Sequence, residues 1–171
     1  MHPTNDPSCQ KTNQTPAVRT SSRLPIDLLK SGQLLALKPN CQGGLIIQKP
    51  FYADFVGPGS AVGSSFDVTC TSVYAIGQVE FYAPTSYAER QQAFQTRMAY
   101  SQALTKILLE DSPLHRAFCI INQLSHWLGA DKTQKIPPEL IAHLAGLLPK
   151  TVAIALQHYP AKNSSQVLTE R

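Results

Sequence analysis

Ala142, Gly146 and Val152 stand at intervals of four and six in a stretch otherwise rich in Leu, Ile and Ala. That order suits a helix-turn-helix, which needs a small residue where two helices touch, a glycine to take the left-handed turn, and an apolar residue to close the wedge. Ile141, Leu147 and Leu156 fill the remaining inward positions. The second helix would then present Lys150, Thr151, Ala153, Ile154, Gln157 and His158. If that hairpin meets a duplex, its lysine would hold a phosphate, Ala153 or Ile154 would meet a thymine methyl, and Gln157 would read an adenine. No arginine stands on that helix, so the commonest reader of guanine is missing and the expected sequence specificity is modest. Lys132, Lys135 and Lys162 would add positive charge nearby. A plain α-hairpin with a glycine turn has the same wedge, and Pro149 with the apolar Leu147-Leu148 and Ile154 would suit a protein partner.

Reactive chemistry is sparse. The chain has no G-x-S-x-G elbow, no phosphate-cradling G-x-x-x-x-G-K and no H-E-x-x-H. Asp54, Asp67, Glu80, Glu89, Glu110, Asp111 and Glu139 are scattered, with no pair assignable to acid and base, so no catalytic residue and no enzyme is expected. Cys9, Cys41, Cys70 and Cys119 are far apart and form no C-x-x-C pair, while His115 and His126 are eleven residues apart. No metal, cofactor or disulfide is expected, nor any cysteine–histidine pair in a reactive context.

The elements that must position the hairpin follow from the rest of the chain. Its 171 residues are 43% hydrophobic and only 15% charged, enough apolar surface for a core and unlike a disordered polyelectrolyte. No apolar run approaches the roughly 18 to 20 residues of a membrane span and no secretory signal opens the chain, so a cytoplasmic protein with no membrane partner is expected. A net charge of +4 permits a polyanionic partner. Residues 1–22 and 161–171 read as flexible tails. Between residues 23 and 84, short apolar runs at Leu34, Leu45, Phe51, Val73 and Val79 alternate with Gly and Pro turns and predict a compact β-unit. Residues 85–111 predict one long helix, with Phe94, Met98, Ser101, Leu104 and Leu108 as a narrow stripe: pairing it with a second copy would make the chain a homodimer, and packing it on the chain's own β-unit is the alternative. Residues 112–160 predict a helical domain: Ser112-Pro113 restarts a helix that ends near Gly129, and Pro138 and Pro149 open the two hairpin helices.

This order of elements resembles the regulators of the cyclic-AMP receptor protein and FNR superfamily. Residues 116–129, RAFCIINQLSHWLG, resemble the family's helix before its DNA-binding hairpin; residues 136–142, IPPELIA, and 150–152, KTV, are similar to the starts of its two hairpin helices. Upstream, residues 55–63, FVGPGSAVG, resemble the glycine turn of its sensory β-roll, and residues 73–81, VYAIGQVEF, its last strands before the dimer helix. The resemblance implies an α+β fold: a small β-roll-like unit, a long dimerisation helix and a carboxy-terminal winged-helix domain. It implies a regulator of double-stranded DNA, with two recognition helices about 34 Å apart on successive groove faces and a possible regulatory protein partner. The sequence departs from the family after Gly63, where Ser64-Ser65 stand in place of the ribose-gripping glutamate, and no arginine lies between Arg23 and Arg90 to hold a cyclic phosphate. The regulator is therefore expected to be ungated by a cyclic nucleotide. With Cys9 the only thiol near the amino terminus, an oxygen-sensing cluster is not expected either. The β-segment, about sixty residues, is also shorter than the family's roll.

Overall fold

The computed structural model describes residues 26–159. The chain is α+β: a short helix α1 (Ile26–Lys30), strands β1 (Leu34–Leu37), β2 (Gly43–Gln48), β3 (Ala53–Val56) and β4 (Ala61–Gly63), a single turn α2 (Ser64–Asp67), strands β5 (Ser72–Gly77) and β6 (Phe81–Tyr82), then helices α3 (Tyr87–Leu108), α4 (Pro113–Leu128), α5 (Ala130–Thr133), α6 (Pro138–Ala145) and α7 (Pro149–His158). Both expected tails lie outside the described residues.

The strands form two three-stranded antiparallel sheets, ordered β4-β1-β6 and β3-β2-β5. Strand periodicity decides how they stack, because alternate residues face opposite sides. Leu35 and Leu37 of β1, Leu45 and Ile47 of β2, Val56 of β3 and Val62 of β4 meet between the sheets, together with Leu29 of α1. The intervening residues are buried as well. Ile46, Ala53, Phe55 and Ile76 face the helices, while Ala36 and Ala61 meet Ala93 of α3. Burial on both faces explains why these strands read as unbroken apolar runs and not as an alternation.

One expected strand is a turn. Phe51 and Tyr52 are exposed, and Lys49 N donates to Tyr52 O at 2.8 Å to close a tight hairpin whose second residue is Pro50, with β3 beginning at Ala53. Proline fixes φ for that turn position and cannot donate to a ladder.

The long helix begins where a capping box forms: Ser86 Oγ accepts from Glu89 N at 3.1 Å, and Glu89 Oε2 accepts from Ser86 N at 3.1 Å and Thr85 N at 2.8 Å. The backbone donors of Ser86 and then Thr85 hold the Glu89 carboxyl below its ordinary pKa. Tyr100 of α3 approaches the backbone of Gly57 so closely that a Cβ there would meet its ring, which explains a glycine at that turn.

A buried ion cluster ties α3 to the β-unit. The Arg97 guanidinium, 5% exposed, donates to Asp54 and Asp67 at 3.2 Å each and to the Ala61 carbonyl at 3.2 Å. Lys49 Nζ donates to Asp54 at 2.9 Å and lies 3.9 Å from Asp67, whose second oxygen accepts from Gly63 N at 2.8 Å. Two cations balance two carboxylates. Burial opposes charge on Lys49, but the hydrogen bond and charge of Asp54 outweigh it, and its pKa ends above the ordinary lysine value.

The helical part does not stand apart from the sheets. Residues of β2, β3 and β5 share one continuous core with α3, α4, α6 and α7, from Ile46 and Phe55 to Ile121, Leu124, Ile141 and Val152. Among the described residues no strand accompanies α4 to α7, so the expected wing is not seen there; residues beyond Tyr159 lie outside the described residues.

Candidate nucleic-acid interface

The hairpin forms from the residues that predict it. Pro138 and Pro149 occupy first-turn positions of α6 and α7, where a missing N–H is harmless, and each helix starts without a side-chain cap. Gly146 ends α6 with φ 59° and ψ 44°, the left-handed conformation that favours glycine. The axes of α6 and α7 bend by 111° across the three-residue turn from Gly146 to Leu148. Helix-turn-helix units cross at about 90–120° over three to four residues. Ala142 and Val152 are buried at the contact, alongside Ile141, Ala145 and Ala155.

Burying Val152 and Ala155 turns the opposite side of α7 outward. Lys150, Ile154, Gln157 and His158 are exposed, while Thr151 and Ala153 are half-buried on the flanks. Lys150 forms no ion pair among the described residues, and no carboxylate lies on α7 itself. From residue 113 to 159 the chain carries four Lys and Arg against two carboxylates. Leu148 at 72% exposure and Ile154 at 40% add apolar surface to the same end.

Not every expected helper is free. Lys132 Nζ donates to the Gln42 carbonyl at 2.9 Å, fastening α5 to the β-unit, so it is a structural cation and not part of the α7 face. Lys135 is exposed, and Lys162 lies outside the described residues. Arg116 is engaged as well: its guanidinium donates to the Glu110 carbonyl at 2.6 and 2.9 Å, closing the end of α3.

The stripe assigned to dimer contact divides. Leu104, 6% exposed, belongs to the core of its own chain, and Phe94 is half-buried against Phe66 with ring centroids 5.4 Å apart. Met98 at 53% and Leu108 at 42% remain exposed, with Ser101 between. The reason is helical geometry: each three-residue step turns the stripe back by about 60°, so the two consecutive steps Met98 to Ser101 to Leu104 carry it from the outer face into the core. An open groove does run along the outer side of α3, lined by Tyr87, Phe94, Met98, Ala99 and Gln102.

Two arrangements escaped the sequence reading. Arg97 brings to the Gly63 turn the guanidinium that its own β-segment lacks, and Asp54, Asp67 and the Ala61 carbonyl consume it. A cysteine and a histidine do meet. His115 and Cys119 are four apart on α4, hence on one face, and His115 Nε2 lies 3.8 Å from Cys119 Sγ. That spacing within a predicted helix was the available signal.

Among the described residues no single helix is long and apolar enough to cross a membrane, and no group of three or more metal-ligating side chains converges. No protein-family model matches the chain, and no curated protein matches it in sequence.

Proposed function

We propose that this chain is a double-stranded DNA-binding transcription regulator of the cyclic-AMP receptor protein and FNR type, acting as a homodimer and without gating by a cyclic nucleotide. The observation that carries the reading is the α6–α7 hairpin: a 111° bend at a left-handed Gly146, Ala142 and Val152 buried in one core, and an outward face bearing Lys150, Gln157 and His158. The uncapped amino end of α7 adds the partial positive charge of a helix terminus beside Lys150, suited to a phosphate. Pairing would use the exposed side of α3 around Tyr87 and Met98, not Leu104. The absence of cyclic-nucleotide gating rests on Arg97, whose charge at the Gly63 turn is already matched by two carboxylates.

A second reading, an interaction module of the same ancestry that holds another protein, is favoured by the exposed Leu148 and Ile154. Salt separates the two. Affinity for a random duplex should fall with a log–log slope of about −0.9 for each phosphate contacted. A salt-independent affinity, or no binding at low salt, removes the DNA reading and leaves the protein partner.

A further inference from the structure

Glu110, His115 and Cys119 form a chain of three functional groups at the α3–α4 corner, remote in role from the buried ion cluster. Glu110 Oε2 lies 3.0 Å from His115 Nδ1, and His115 Nε2 lies 3.8 Å from Cys119 Sγ. A carboxylate oxygen can only accept, so in the neutral imidazole Nδ1 carries the ring proton and Nε2 turns its lone pair toward the thiol. A nucleophile, a base within reach and a group that orients the base is the arrangement by which proteins activate a thiol. The site is open: the His115 side chain is 61% exposed, that of Glu110 44%, and Cys119 is half-buried.

The other described thiols lack these partners. Cys70 is 1% exposed. Cys41 is half-buried, and its Sγ donates to the Gly43 carbonyl at 3.8 Å with no imidazole beside it.

We propose that Cys119 is a thiol–disulfide exchange site, with His115 as its proton acceptor, Glu110 as the residue positioning His115, and a small disulfide of the glutathione class as its substrate. Cys119 Sγ passes its proton to His115 Nε2 and attacks one sulfur of the disulfide. The new S–S bond forms as the old one breaks, half of the disulfide stays on Cys119, and the departing thiolate recovers the proton from the imidazolium. The disulfide is the oxidant and nothing else is consumed.

Burial, and then the charge of Glu110, push the Cys119 thiol above its ordinary value. A thiol of raised pKa is strongly nucleophilic once deprotonated but rarely deprotonated at neutral pH, so its rate depends on the neighbouring base. Cys41 and Cys70 are raised too, chiefly by burial, and have no such base.

The test incubates the full chain with oxidised glutathione and follows each cysteine by peptide mass spectrometry. Cys119 should gain the mixed disulfide about tenfold faster than Cys41, and Cys70 should stay unmodified, reporting that the chain remains folded. His115→Ala should slow Cys119 about tenfold with Cys70 still protected, and Glu110→Gln should slow it less. Added free imidazole should restore part of the Cys119 rate in His115→Ala, which a merely structural role of His115 would not allow. A Cys119 rate no faster than that of Cys41, an unchanged rate in His115→Ala, or no recovery of that variant with free imidazole overturns the proposal.

Discussion

Arg97→Ala should lower the unfolding free energy by about 3–5 kcal/mol, the cost of breaking a buried ion pair by removing one partner. The Arg97 side chain is 6% exposed, and Asp67 is fully buried. Without the guanidinium, Asp67 keeps only the Gly63 amide and a lysine at 3.9 Å, while Asp54 keeps Lys49 at 2.9 Å. Two carboxylates then share the single cation of Lys49, leaving one buried negative charge in excess, and the Ala61 carbonyl loses its donor. The penalty comes from that stranded charge and not from the attraction itself, so Arg97→Lys, which keeps the charge but not the fork, should cost distinctly less. Urea unfolding of the three proteins checks this. A loss under about 1 kcal/mol for Arg97→Ala, the range of an exposed pair, would contradict the buried clasp.

Phe55→Ala should cost a similar 3–5 kcal/mol, the range for an aromatic deleted from a core. Phe55 is 1% exposed; its ring stacks on Trp127 at 4.9 Å and 9°, and meets the edge of Tyr100 at 5.5 Å. It is the point where β3 touches both α3 and α4, so its loss loosens the seam between sheets and helices as well as leaving a cavity. Trp127 is the only tryptophan in the chain, which makes its emission a local reporter. A loss near zero with native emission unchanged would show that the two parts do not share a core.

Local signals carried the helices. Ser112-Pro113, Pro138, Pro149 and Gly146 sit where the sequence puts them because capping and the left-handed turn are properties of a few adjacent residues. The helical wedge was legible for the same reason. Long-range placement was not. Nothing near Lys132 announces the Gln42 carbonyl, ninety residues away. Arg97 looks like an ordinary exposed helix arginine until the β-unit brings Asp54 and Asp67 beneath it. The α3 stripe divides because successive three-residue steps rotate it about the helix, which sends Leu104 inward while Met98 stays out. Phe51 and Tyr52 have strand propensity, but the turn that includes Pro50 extends through Tyr52, so the strand begins only at Ala53.

The proposed DNA binding requires the outward face of α7 to meet a duplex. Fluorescence anisotropy of a labelled random duplex at low salt, titrated with the native chain, Lys150→Glu and Lys38→Glu, tests it most directly. Lys38 is an exposed lysine already paired with Glu80 at 2.7 Å on the β-unit, so its reversal makes the same change in net charge far from the hairpin in role. Reversing Lys150 should weaken binding about tenfold or more, roughly 1.4 kcal/mol, while Lys38→Glu leaves it nearly unchanged. Equal affinities for the native chain and Lys150→Glu, or equal losses in both variants, would contradict the account.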